Sequence, residues 1–304
     1  LPLKQASVEE LNLVTGSGCF CEDDNSNDID LSRFRNIRRI SWAGLGTDSH
    51  FETLHHALLT NSKRLTHLRL EYADQPEEDF STEDLDIFEG GDQEIYYGIC
   101  FARGLLGLKR PFSATLDILF PSLTSLSLES VPLINGKKSL VHALNVSQLL
   151  HLTLRKCSAM EDFLREIVAA GQPLKLLSLE YICDSDGEIS AHEALEGILK
   201  LGANLTDLFL SLPGPLVTLN FWRKLADNRP PLKRFVYHQR AVNTDEDSSR
   251  YEEEEDLTDL SLLREDVDEL ASSGENHPFA QFDLTCLGLG GHFYGLVSNP
   301  LSLI

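Results

Sequence analysis

Apolar residues recur along this chain in one phrase: Leu-x-x-Leu-x-Leu, with Ile, Val, Phe, Tyr or Trp as substitutes. The anchors are Val8-Leu11-Leu13, Ile37-Ile40-Trp42, Leu65-Leu68-Leu70, Leu123-Leu126-Leu128 and Leu149-Leu152-Leu154. Four more follow: Leu174-Leu177-Leu179, Leu205-Leu208-Leu210, Leu232-Phe235-Tyr237 and Leu284-Leu287-Leu289. They start 29, 28, 58, 26, 25, 31, 27 and 52 residues apart. The alternating Leu-x-Leu is the period of a short strand with one buried face. Between strands the period changes to that of a helix, at Phe51-Leu54-His55-Leu58, Met160-Phe163-Leu164-Ile167-Val168, Ala191-Leu195-Ile198-Leu199 and Phe221-Trp222-Leu225. Ser49-x-x-Glu52, Ser158-x-x-Glu161 and Ser190-x-x-Glu193 have the form of capping boxes for these helices, and Gly171 and Gly202 fall at their expected ends.

A lone strand of this kind cannot bury its apolar side, whereas stacked copies share one core. The pattern predicts an α/β leucine-rich repeat solenoid, with a curved parallel sheet inside and helices outside, forming a single domain over residues 1–304. The two longest spacings predict insertions, which coincide with acidic runs near 71–94 and 241–256 and read as flexible loops. Leu260-Leu263-Val267-Leu270, just beyond the second run, has helical spacing.

Charge narrows the function. The chain has 48 Asp+Glu against 26 Lys+Arg, a formal net charge of −22. Such a chain is repelled by nucleic-acid phosphates and by anionic membrane surfaces. Most of the excess lies in Glu22–Asp30, Glu71–Glu94 and Asp245–Glu269, so the repeat frame is close to neutral. The variable strand positions project to the concave face. They place Arg38, Arg39, His67, Arg69, His151, Lys175, Phe209, Lys233 and Arg234 there, against the acids Glu9, Glu10 and Asp207. Guanidinium forks in that setting predict capture of a protein partner with an acidic or phosphorylated segment.

Catalytic and cofactor chemistry find no foothold. There is no G-x-S-x-G, H-E-x-x-H or P-loop, and Gly288-Leu-Gly290-Gly291-His292 lacks the Lys-Ser/Thr of a phosphate loop and reads as a turn after a strand. Cys19 and Cys21 form a C-x-C, while Cys100, Cys157, Cys183 and Cys286 are scattered as in free buried thiols. No cofactor, no metal and no enzymatic activity are expected. The chain begins at Leu1 without a signal-peptide layout, which predicts a cytoplasmic or nuclear protein.

Several stretches resemble the repeat region of fungal F-box/leucine-rich repeat proteins: GICFARGLLGL (98–108), FPSLTSLSLESVPL (120–133), LVHALNVSQLLHLTLRKC (140–157) and FDLTCLGLGG (282–291). The unit around Cys157 also fits the cysteine-containing repeat subtype, L-x-x-L-x-L-x-x-C. The resemblance implies a substrate receptor of an SCF-type cullin-RING ubiquitin ligase. The solenoid would hold the target, and an F-box, not present in this chain, would bind the Skp adaptor from upstream of Leu1. A stand-alone scaffold or inhibitor is the alternative of the same kind, and a hydrolase built from the acidic and histidine clusters is the less favoured one.

Overall fold

A computed structural model describes residues 8–15, 30–46, 48–73, 118–134, 136–183, 188–213, 219–228, 230–240 and 278–290. The chain has α/β architecture, and every pairing given between named strands is parallel. The chain divides into two compact units, Leu1–Leu174 and Lys175–Ile304.

The first unit holds β1 (Glu10–Val14), β2 (Arg39–Leu45), β3 (His67–Tyr72), β4 (Ser125–Glu129) and β5 (His151–Arg155), paired in that order. The register aligns the predicted leucines into two inner rows. One runs Leu11, Ile40, Leu68, Leu126, Leu152 and the other Leu13, Trp42, Leu70, Leu128, Leu154. From β2 to β5 these residues are 2% exposed or less, whereas Leu11 and Leu13 on β1 are only half-buried. Full burial of one such side chain contributes about 1.5–3 kcal/mol, so the rows dominate the stability of the unit.

The return segments supply the cover. Helix α1 (Asp48–Asn61) buries Phe51, Leu54, Ala57 and Leu58, with the Phe51 ring 5.3 Å from Tyr72 of β3. Asn61 at its end is buried and donates through Nδ2 to Phe34 O (2.8 Å) and Ala57 O (2.9 Å) while its Oδ1 accepts from Ile37 N (3.0 Å). It ties the helix to the segment entering β2. Helices α2 (Lys137–Ala143) and α3 (Met160–Ala169) are clamped by Asp162, which accepts from Lys137 and from Arg165 (2.9 Å), and by Lys138–Glu166 at 3.5 Å. Those cations hold the Asp162 carboxyl below the usual carboxylate range.

Two features close each repeat. Thr66 and Thr124 donate their hydroxyls to the carbonyls of Arg38 (3.0 Å) and Thr66 (3.1 Å), one repeat back. After β4 and β5, Ser130 (φ 55°) and Lys156 (φ 52°) take the left-handed conformation that Gly44 (φ 81°) takes at the same repeat position near the end of β2. Each turns the next residue inward, where Leu45, Val131 and Cys157 are buried. A Cβ on Gly44 would lie 1.8 Å from Thr15 O, so only glycine fits.

The second unit holds β6 (Ser178–Ile182), helix α4 (Glu188–Leu201), β7 (Asp207–Pro213), helix α5 (Leu219–Asn228), β8 (Arg234–Arg240) and β9 (Cys286–Gly290). Its inner rows are Leu179, Leu208, Phe235, Leu287 and Tyr181, Leu210, Tyr237, Leu289. They are fully buried as far as β8, but Leu287 on β9 is 41% exposed. Lys224 of α5 donates to Glu196 of α4 at 2.6 Å.

The register corrects one repeat. Leu179 pairs with Leu208, the second leucine of its motif, so the frame is Leu176-Leu179-Tyr181 and not Leu174-Leu177-Leu179. Leu176, Leu179 and Tyr181 are at most 1% exposed, while Leu177 is only half-buried. The capping boxes also fail. Ser49 and Ser190 lie inside their helices, and α3 is preceded by Ala159 in the left-handed conformation with no side-chain cap. Gly171, at φ 63°, and Gly202 do end α3 and α4. Gly288 and Gly290 lie within β9, not in a turn; their missing side chains leave room for Val236 and His238, whose atoms would lie 3.3 Å and 2.5 Å from an added Cβ. The acidic run near 71–94 begins in β3, which contains Glu71 and Tyr72. Its remainder past Ala73, the 241–256 run, the 260–270 segment, Cys19, Cys21 and Cys100 lie outside the described residues.

Candidate functional site

Strand alternation that buries the leucines turns the intervening positions outward, and the register lines them up. In the first unit the outward face has three rows. They are Glu10, Arg39, His67, Ser125, His151; then Asn12, Ser41, Arg69, Ser127, Thr153; then Val14, Ala43, Glu71, Glu129, Arg155. In the second unit the rows are Ser178, Asp207, Arg234, Cys286; Glu180, Phe209, Val236, Gly288; and Ile182, Ser211, His238, Gly290, of which Ser211 is itself buried.

Six of the nine predicted partner-binding residues occupy these rows: Arg39, His67, Arg69 and His151 in the first unit, Phe209 and Arg234 in the second. Arg38 and Lys233 immediately precede β2 and β8 and are exposed. Lys175 does not belong with them. The shifted frame puts it just ahead of Leu176, three residues before β6, and the outward positions of that strand are Ser178, Glu180 and Ile182.

The face also holds charges that the sequence pattern missed. Arg69 meets Glu71 at 3.3 Å and Glu129 at 3.7 Å, and Glu129 meets Arg155 at 3.6 Å. At the other end of the strands Arg39 meets Glu10 at 3.6 Å and Arg38 meets Glu9 at 4.0 Å. Outward strand positions of the first unit therefore carry Arg39, Arg69 and Arg155 against Glu10, Glu71 and Glu129, a balanced set. Glu71, Glu129 and Arg155 sit one step past the last leucine of their phrases, a position the motif leaves blank, whereas Glu180 lies between Leu179 and Tyr181 of the shifted frame. In the second unit Arg234 donates to Asp207 and Lys233 to Asp283.

Electrostatics single out one group. Partial burial, then the neighbouring Arg39 and His151, hold the His67 ring below the usual imidazole range, and only Glu10 opposes them. Its Nδ1 lies 2.9 Å from the Thr66 hydroxyl. That hydroxyl has one proton and directs it to Arg38 O, as Thr124 does one repeat on. The ring then donates from Nδ1–H and leaves Nε2 as the outward acceptor, a tautomer assigned from the hydrogen-bond network.

Near the C-terminal ends of β1 to β5, small side chains leave a shallow hollow of about 280 Å³ bordered by Val14, Ala43, Gly44, Glu71, Glu129 and Lys156. Among the described residues no group of three His, Cys, Asp or Glu could hold a metal ion, and no helix is long and apolar enough to cross a membrane. Cys157 and Cys183 are buried. Burial pushes Cys157 up to about 12, and its thiol donates to Arg155 O at 3.3 Å. Cys286 is exposed on the outward row of β9. No family model matches the chain, and no curated protein matches it at a significant level.

Proposed function

We propose that the chain is a leucine-rich repeat solenoid that recognises other proteins and catalyses no reaction, and that it serves as the target-holding part of an SCF-type ubiquitin ligase. The observation that carries the first half is the set of in-register outward rows. In each unit they present polar and charged side chains, with Phe209 in the second, from a sheet whose other face is buried away from the edge strands. Rigid presentation lowers the ordering cost of binding, and a polar face with few apolar groups suits an extended, charged segment. The ligase half rests on the resemblance of residues 98–108, 120–133, 140–157 and 282–291 to F-box repeat proteins. It places the protein in the cytoplasm or nucleus.

Purification of the tagged full-length protein from its own cells tests both halves. The ligase reading expects the Skp adaptor and a cullin in the complex; their absence removes it and leaves a scaffold or inhibitor. Charge reversal at Arg38, Arg39 and Arg69 should release the bound target while the adaptor stays and the far-ultraviolet dichroism is unchanged. Retention of the target by that variant would reject the face.

A further inference from the structure

We infer that the N-terminal end of the first unit's outward face is a proton-gated docking surface for an acidic, extended segment of a partner protein, with His67 as the gate. This deepens the proposed function and rests on it. The surface is the row Glu10, Arg39, His67, Ser125, His151, together with Glu9 and Arg38 just outside it. At neutral pH its fixed charges cancel, because Arg38 and Arg39 stand against Glu9 and Glu10. The His67 imidazole therefore decides the sign. Neutral, it leaves no net charge; protonated, it makes the row cationic at its centre.

The geometry makes the change local and directional. With Nδ1–H engaged by Thr66, protonation of His67 converts its outward Nε2 from an acceptor into a donor. A carboxylate that meets an acceptor today would meet a charged donor after protonation. The strands at His67 and His151 are two apart, roughly 10 Å, which acidic residues about three apart on an extended segment can span. The groups facing His67 are Arg39 from β2, Ser125 from β4, His151 from β5 and Glu10 from β1. Only Glu10 is acidic, so a bound carboxylate supplies the counter-charge the row lacks.

The occupant is a carboxylate segment and not a phosphorylated one. Glu9 and Glu10 already show the arginines accepting carboxylates here. Asp and Glu also keep full charge through the imidazole range, whereas a phosphate monoester loses part of its own near pH 6. Because the bound anion raises the imidazole pKa, binding takes up protons, and affinity rises as pH falls.

The test uses the full chain and a fluorescent octapeptide with Glu at every third position and Ser between, followed by anisotropy at constant ionic strength. From pH 7.8 to pH 6.0 binding should tighten about twofold to fivefold, the scale of one exposed charge contact. H67Q should abolish most of that response while leaving the pH 7.8 affinity within about twofold. H142Q, at an exposed position of helix α2, should keep the response, and R39Q should weaken binding at both pH values. A response that survives in H67Q, no binding at pH 6.0, or preference for the phosphoserine analogue of the peptide would each overturn the inference. If the native target is still released by charge reversal at Arg38, Arg39 and Arg69 in that event, the gate fails and the proposed function stands; if it is not, the face itself fails.

Discussion

The two units share their inner rows and differ in their outer ones. In both, the strand positions facing the core are Leu, Ile, Phe, Tyr or Trp, and away from the edge strands they are at most 2% exposed. The middle outward row of the first unit is Asn12, Ser41, Arg69, Ser127, Thr153, polar throughout; that of the second is Glu180, Phe209, Val236, Gly288. Close packing constrains the inner rows to large apolar groups, whereas solvent imposes no such demand on the outer ones. The outer rows are therefore where a repeat protein can vary: the first unit's middle row is polar throughout, and the second's places Phe209 and Val236 beside Glu180.

The comparison is sharpest for thiols. Cys157 lies in the core layer of the first unit, with burial raising its pKa to about 12, whereas Cys286 lies outward in the second. At pH 8 the thiolate fraction of a group near 12 is about a thousandfold below that of an ordinary cysteine, before steric shielding is counted. Iodoacetamide labelling of the native chain, read by peptide mapping, should modify Cys286 first and reach Cys157 and Cys183 only on unfolding. Fast native labelling of Cys157 would break the division into inner and outer layers.

Core truncation comes next. Leu128→Ala in the first unit and Leu210→Ala in the second each remove a side chain with no exposure, and urea titration should register about 2–5 kcal/mol for each. Phe209→Ala, on the outward row, should cost far less than Leu210→Ala next to it. Gly44→Ala should be comparable to a core change, about 3 kcal/mol, because it combines a left-handed backbone with a clash on Thr15 O. A loss below about 1 kcal/mol at Gly44 would show that this turn yields.

Much of the architecture was legible, and its failures have physical causes. Leucine spacing finds the inner rows because burial selects for volume and hydrophobicity at a fixed period. It misplaces Leu174-Leu177-Leu179 because Leu174, Leu176, Leu177 and Leu179 offer two overlapping frames. Regularity was the unused signal: first leucines at 149, 176, 205 and 232 recur every 27, 29 and 27 residues. Lys175 entered the candidate site through that error. Glu180 was overlooked through the same error, and Glu71 and Glu129 for a different reason, since the outward position after the last leucine has no hydrophobic marker. Glu9, Glu10 and Asp207 could be read from the motif along with the arginines, but their pairing with Arg38, Arg39 and Arg234 could not, because register depends on pairing across roughly 27 residues.

A modest effect is expected on overall stability below neutrality. Burial lowers the pKa of His50 and, with Arg39 and His151, of His67. The unfolded chain binds these protons more tightly, so stability should be complete above the ordinary imidazole range and decline as pH falls from about 7 toward 5. H67Q should flatten part of that slope in denaturant titrations across the interval, and an unchanged slope would deny His67 its environment.

The smallest expected effect bears most directly on the contrast between the two faces. Arg69 lies between Glu71 and Glu129, and Glu129 between Arg69 and Arg155, so charge alternates along the first unit's outward face. These pairs are partly exposed, and such contacts contribute about 0.2–1 kcal/mol each. A double-mutant cycle of Arg69→Gln with Glu129→Gln should give a coupling in that range that shrinks in high salt. The same cycle on Val236 and Phe209, adjacent in the second unit, should give a coupling that salt does not diminish, since it arises from apolar contact. Equal salt responses in the two cycles would erase the distinction between a charged face and an apolar one.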